Sequence, residues 1–327
     1  QLTTGVKTKV TSKIASDSSA VFVDIGLDTR KNRAIKSREK RDVWFDDITG
    51  EVVEHGLRIE ARMKGKYQRG KQSVFQYLRM TSIVNPHATI SLVVRDRDGE
   101  VYEQGSWKRT TDKLPRVVEE IKPHPHGIQL GTLQRMLRES EERKMTSFLR
   151  HNFSGVSMRA AKEILSLAEI NENRSPKRIS TNDANGMLNG FQNVKLLPPP
   201  TDCLSPIDDL LIKKGLSKAI DSRFAATVTR NPTVSQGNPF QIEVGLVFGG
   251  DLTADGPIEV LRFANRVPLM YQQGGCALTK AIESIDWKRY GLDHPGGKGL
   301  PKGAAAVLIH LASTNVQFTS EAKEAVA

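Results

Sequence analysis

Hydrophobic and polar positions change their spacing twice along this 327-residue chain. Val21, Val23, Ile25 and Leu27 alternate with Phe22, Asp24 and Asp28, and Leu57, Ile59, Ala61 and Met63 alternate with Arg58, Glu60 and Arg62. A period of two predicts half-buried antiparallel strands with one face toward water. Between them Arg30 to Arg41 carries seven basic residues against one acid, which reads as a solvated excursion. Val74, Tyr77, Leu78 and Thr81 recur at helical spacing within Ser73 to Ile83, and Asn85-Pro86 ends that helix. Ala88 to Arg95 returns as a strand, followed by a turn at Asp98-Gly99.

The proline-interrupted stretch Ile121 to Gly127 marks a boundary, beyond which the pattern becomes helical. Leu130, Leu133, Met136 and Leu137 form one apolar stripe; Met158, Ala161, Ile164 and Leu165 form another behind Ser154-Gly155-Val156-Ser157. This small helical module closes at Leu197-Pro198-Pro199-Pro200, after which Ser205 can cap and Pro206 can open the next helix. The last third reads strand, strand, helix, strand: Phe240 to Phe248, Ile258 to Phe263, Ala277 to Ile285 and the apolar run Ala304 to Ser313. That order predicts an α+β or α/β layer.

Composition narrows the function classes. With 38% hydrophobic and 26% charged residues the chain is of ordinary globular type, and a net charge of +11 directs attention to a polyanionic partner. Cys203 and Cys276 are far apart and outside any CxxC spacing, which argues against a disulfide scaffold, a structural zinc site or a redox pair and fits a reducing cytoplasm. The longest apolar run, Ala304 to Ile309, is too short to cross a bilayer, and the first residues lack a signal pattern. Neither export nor membrane insertion is expected. Starting at Gln1 without Met and stopping at Ala327 in a charged pattern resembling a helix start, the chain reads as an internal fragment.

Candidate chemistry is sparse at the level of motifs. The basic segment Arg58 to Lys71, with Glu60 as its one acid, suits either phosphate contact or a solvated strand face. Asp286-Trp287-Lys288-Arg289-Tyr290-Gly291 sets two cations between two aromatics, a cluster that can stack on nucleic acid, although a Trp covering a core edge is commoner. Gly296-Gly297-Lys298-Gly299 fails as a phosphate loop, which needs glycine at Leu292 and a hydroxyl at Gly299. His124 and His126, near His151, sit among prolines without acidic or thiol ligands at metal spacing, and fit a structural linker better than a metal site. Glu169 and Asn173 are spaced as in some ATPases but precede the loop Arg174-Ser175-Pro176. No catalytic triad or carboxylate pair follows from spacing.

Several strings together resemble the B subunits of DNA topoisomerase VI. Gln1-Leu2-Thr3-Thr4-Gly5 resembles the stretch after that family's ATP lid, Lys122-Pro123-His124-Pro125-His126-Gly127 its entry into a helical insert, and Cys203-Leu204-Ser205-Pro206 the exit. Gly237 to Phe240, Arg262 to Leu269, Trp287 to Gly291 and Phe318 to Ala325 resemble its last domain in the expected order. The resemblance implies an α+β multidomain chain. Residues 1–124 would be the end of a GHKL (Bergerat) ATPase α/β sandwich, 125–205 a helix-two-turn-helix (H2TH) module, and 206–327 a ribosomal-protein-like α/β transducer stopping before a long C-terminal helix.

It also implies function. ATP with Mg2+ would close two B subunits into a homodimer, and the transducers would pass that closure to the A subunits of an A2B2 heterotetramer, which cut double-stranded DNA. Thr3, Thr4 and Lys323 are then the expected nucleotide contacts, Lys323 reaching the γ-phosphate. Arg69, Lys71, Trp287, Lys288 and Tyr290 are the expected DNA contacts, with Gln72 replacing a second cation usual in that loop. The family's catalytic Glu and Mg2+-binding Asn are expected N-terminal to Gln1, leaving no catalytic or metal-binding residue assigned here, so the piece by itself is expected to be inactive toward ATP. The contrasting possibility is a non-enzymatic basic scaffold holding DNA without nucleotide control.

Overall fold

The computed structural model describes residues 4–31, 33–47 and 49–327 as two compact units, divided between Gln68 and Arg69. The first unit is one antiparallel sheet. Its strands are β1 (Thr8–Lys13), β2 (Ala20–Asp28), β3 (Arg33–Asp42) and β4 (Gly56–Glu60), in the order β3-β2-β1-β4. Val10 pairs with Val23 on one side and Ile59 on the other, so these apolar residues share a face, but the expected burial is not met in β4, where Leu57 and Ile59 are exposed and Ala61 and Met63 lie past the strand end. The basic stretch after Arg30 departs from expectation. It is not an excursion but the ten-residue edge strand β3, exposed at every position, which is why it shows no apolar alternation.

In the second unit α1 (Val74–Val84) starts where the Ser73 side chain accepts from the Gln76 N–H and ends at Asn85. The hairpin of β5 (Ile90–Arg95) and β6 (Val101–Trp107) follows. Four helices then pack on one another: α2 (Leu130–Glu139), α3 (Met145–Asn152), α4 (Met158–Leu167) and α5 (Thr181–Asn193). Their core gathers Leu133, Phe148, Ile164, Met187 and Phe191, all fully buried. His124 belongs to this module's entry, its Nε2 3.0 Å from the Leu197 carbonyl and its Nδ1 accepting from the His126 N–H.

Helix α6 (Asp209–Ala219) begins three residues later than the sequence suggested: Asp208, not Ser205, is the cap, its carboxylate accepting from the Leu210 N–H at 3.1 Å. The strands β7 (Phe224–Thr229), β8 (Thr233–Ser235), β9 (Asn238–Phe248), β10 (Glu259–Ala264), β11 (Val267–Pro268) and β12 (Ala305–Ser313) make one sheet, with α7 (Ala277–Glu283) between β11 and β12. Its order is β11-β10-β12-β9-β7, with β8 on β9 and only β10 and β12 running parallel. Both faces are covered. Ala305, Val307 and Ile309 of β12 join α7 and Trp287 on one face, whereas Ala306 and Leu308 meet α1 and α6 on the other. Residues 318–326, expected to start a helix, instead form a hook closed by a bridge between Phe318 and Val326.

Helix α1 comes from the first third of the sequence yet Ile83 and Val84 share the core of α6 and the last sheet. Gly215 permits the approach: a Cβ there would lie 2.2 Å from the Ile83 carbonyl oxygen.

Candidate functional site

The hook at 318–326 is pinned to α7. Ala277, the first residue of α7, donates its N–H to the Val326 carbonyl at 2.9 Å, and the Val326 N–H meets Cys276 Sγ at 3.4 Å. Gln272 donates to Glu324 and accepts from the Thr319 hydroxyl, at 2.7 and 3.1 Å. Burial would raise the Cys276 thiol, but the Val326 N–H and the Arg262 guanidinium outweigh it and hold the thiol below its ordinary value.

Lys323 sits at the tip of this hook, in a turn closed by its own N–H to the Ser320 carbonyl at 3.1 Å. Its φ is +55°, a left-handed conformation that costs a non-glycine residue about 1 kcal/mol or more. The side chain is exposed, with its ammonium 5.9 Å from the Phe318 ring centroid and no hydrogen bond or ion pair among the described residues. A rigid staple thus presents a lone cation on a strained backbone. Of the other two expected nucleotide contacts, Thr3 lies outside the described residues, and the Thr4 hydroxyl donates to the Arg62 carbonyl at 3.3 Å.

The far end of α7 carries the aromatic-cationic cluster. Trp287 is 7% exposed and its Nε1 donates to the Ile282 carbonyl at 2.8 Å, so the indole serves the core and is withheld from a surface ligand. Lys288, Arg289 and Tyr290 are exposed, Tyr290 at 72%, on a 3-10 turn ended by left-handed Gly291. Trp287, Cys276, Ile282, Ala325 and Val326 are members of one core. The lysine tip and the aromatic-cationic turn therefore stand at opposite ends of a seven-residue helix about 10 Å long, joined through shared packing.

Arg69 and Lys71 differ. The Arg69 guanidinium donates to the Tyr102 carbonyl at 2.7 Å, lies 3.4 Å from Glu103 and stacks 4.2 Å from the Tyr102 ring centroid. Lys71 is exposed, with no ion pair or hydrogen bond from its side chain among the described residues. Neither residue is brought to the α7 cluster by any described contact.

Sequence reasoning missed a buried polar joint on the other side of the sheet. Glu243 of β9, fully buried, accepts from the N–H groups of Ile207 and Asp208 at 2.7 and 2.8 Å, from the Thr229 hydroxyl at 2.9 Å and from His310 Nδ1 at 2.8 Å. Since His310 Nε2 accepts from the Arg266 N–H at 3.0 Å, its proton lies on Nδ1 and both ring nitrogens are occupied. With the carboxylate and both ring nitrogens engaged inside the fold, the pair reads as a structural joint. Burial would raise Glu243, but the His310, Ile207 and Asp208 donors prevail and hold it below the usual carboxylate range. Arg266 extends the joint, donating to the carbonyls of Val84, at the end of α1, and Pro206, each at 3.0 Å. With Asn265 it forms the two-residue turn between β10 and β11, at φ +64° and +46°. The available signal was a Glu flanked by the apolar residues of an otherwise buried strand and a His inside the run Ala305 to Ala312.

Comparison with known proteins matches residues 199–327 to the family described as topoisomerase VI B subunit, transducer. Over its full length the chain is 45% identical to the B subunit of type 2 DNA topoisomerase 6 from Methanococcoides burtonii, covering 51% of that protein. It is likewise 45% identical to the corresponding B subunit from Methanosarcina barkeri, covering 51%, and 43% identical to that from Archaeoglobus fulgidus, covering 52%. The chain spans about half the length of the curated relatives it matches. The transducer match over residues 199–327 and the 43 to 45% identity over the full length of the chain converge on one assignment: the chain belongs to the topoisomerase VI B subunit family.

Proposed function

We propose that this chain is the part of a topoisomerase VI B subunit that converts nucleotide state and DNA contact into movement of its transducer domain. ATP would drive B–B dimerisation, and the transducers would relay that closure to A subunits in an A2B2 assembly that passes one duplex through another. The supporting observation is the arrangement around α7, with an exposed, strained Lys323 at one end and exposed Lys288 and Tyr290 at the other. In this reading residues 1–124 close a GHKL ATPase layer, 125–205 form an H2TH module whose own core supports such a unit, and 206–327 form the transducer. A cytoplasmic setting goes with a DNA partner; no helix among the described residues is long and apolar enough to cross a membrane.

The residues fit the chemistry asked of them in different degrees. An unpaired ammonium on a fixed turn suits the terminal phosphate of ATP and favours triphosphate over diphosphate by one full charge contact. When bound, ATP with Mg2+ would supply a charged phosphate chain for which Lys323 is the candidate cation, and Thr4, which belongs to the first unit, is a separate candidate contact. On the DNA side Lys71 and Lys288 are available to phosphates and Tyr290 to a sugar or base face; Trp287 positions the turn rather than touching DNA. Arg69, held by Tyr102 and Glu103, shapes the loop as well as charging it.

The 327-residue chain alone should bind duplex DNA in a salt-dependent way and show no DNA-stimulated ATP turnover. Measured turnover above a no-protein blank would contradict this division of labour.

A further inference from the structure

We infer that the edge strand β3 and the turn leading into it form a phosphate-contact track for duplex DNA, made of residues other than those of the α7 turn and the Arg69–Lys71 loop. The inference rests on the topoisomerase reading for its choice of polyanion; the cationic surface itself is read from the fold.

An edge strand is ordinarily short or interrupted, because its free backbone groups invite pairing with other chains. This one runs ten residues, and every residue of it is exposed. One or two charges would suffice to discourage pairing. Here Arg30 and Lys31 in the turn are followed by Arg33, Lys36, Arg38, Lys40 and Arg41 in the strand. Lys36 has Glu39 at 3.7 Å and Lys40 is paired with Asp42. The side chains of Arg30, Lys31, Arg33, Arg38 and Arg41 have no hydrogen bond or ion pair among the described residues. Two carboxylates stand opposite the strand in register, Asp28 by Arg33 and Asp24 by Arg38. Asp28 is occupied by the turn, accepting from the N–H groups of Arg30 and Lys31 at 3.0 and 3.1 Å.

Register also spreads the charge. The pairing slips between Asp24 and Ile25, which leaves Ser37 as the extra residue on β3. Arg33, Arg38 and Lys40 thus lie on one face, opposite Asp28, Asp24 and Phe22, while Lys36 and Arg41 lie on the other, opposite Ile25 and Val21. Cations flank the edge on both sides. A strand of this length spans about 33 Å, close to the roughly 34 Å of one duplex turn, so its arginines can follow a phosphate backbone rather than grip one anion. A membrane surface is disfavoured because Ala34 and Ile35 are the only apolar side chains along the strand.

The test is binding of the 327-residue chain to a duplex of about 30 base pairs, followed by fluorescence anisotropy at about 50 to 200 mM salt, a range over which phosphate contacts lose much of their affinity. Replacing Arg33, Arg38 and Arg41 together with Gln should weaken binding about tenfold or more and reduce the slope of log affinity on log salt by about 2 to 3. A matching Arg→Lys triple variant should keep the wild-type slope, which separates lost charge from a disturbed sheet. An unchanged slope in the Gln variant, with wild-type binding intact, would overturn the track while leaving the topoisomerase reading in place. Wild-type chain with no salt-dependent DNA binding would overturn both. Loss of binding to vesicles containing anionic phospholipid, with DNA binding unaltered, would transfer the surface to a membrane and overturn the inference.

Discussion

Glu243 shows how one residue can tie together parts of a chain that are distant in sequence. Its carboxylate reads two N–H groups at the entry to α6, a hydroxyl on β7 and an imidazole on β12, while Arg266 carries the same network to the end of α1. Replacing Glu243 with Gln would set an amide N–H2 against donors that need an acceptor. Removing one partner from such a buried set typically costs about 3 kcal/mol or more, and denaturant unfolding should show a loss of that order. The wild type carries a pH signature of the same origin. Because the folded pKa of Glu243 lies below the unfolded value of about 4.3, its contribution is complete above that value and disappears as pH falls through the lower folded value. Glu243→Gln should flatten that acid limb of the stability curve; an unaltered limb would show that another carboxylate controls it. None of this was legible from spacing, since the partners Glu243 and His310 are 67 positions apart and neither belongs to a recognisable motif. Lys323 enters as a candidate only through the family resemblance. By local pattern it is an exposed lysine, and the left-handed φ that sets it apart is a property of the folded turn.

At the level of elements, alternation and helical stripes found what they should. β2, β9, α2 and α4 each carry an apolar period over the residues that fold, whereas in β4 the alternation marks a strand but not a buried face: Leu57 and Ile59 are exposed, and Ala61 and Met63 lie beyond its end. β3 was missed because a fully exposed edge has no buried face to impose a period, and β1 because Thr8, Thr11 and Ser12 dilute it. The expected helix at the chain end failed for another reason: the charged residues Glu321, Lys323 and Glu324 favour a helix locally, whereas Ala325 and Val326 gain more by entering the core beside α7. The contact of α1 with α6 is a tertiary event that composition could not announce. Gly215→Ala would place a methyl against the Ile83 backbone and force the helices apart, at a cost of about 1 to 3 kcal/mol. Gly274→Ala, with nothing within 4 Å, should be nearly neutral. Equal thermal midpoints for the two variants would argue that the α1–α6 seam is slack.

At the scale of the molecule, the second unit contains a sheet buried on both faces and divided into two kinds of connection. One face holds the polar joint that reaches α1, and the other holds α7 with its lysine hook and its cationic turn. This arrangement suits the relay proposed above, with the candidate contacts at the two ends of a short helix that packs on a tightly bonded sheet. The most direct test is ATP-dependent dimerisation of an intact B subunit containing these residues, followed by sedimentation with a non-hydrolysable ATP analogue. Lys323→Ala and Lys323→Gly should both leave a protein that binds DNA normally, the Gly variant with its turn relaxed, yet forms markedly less dimer than wild type. Dimerisation equal to wild type in both variants would contradict the role assigned to this ammonium and, with it, the proposed coupling between nucleotide and transducer.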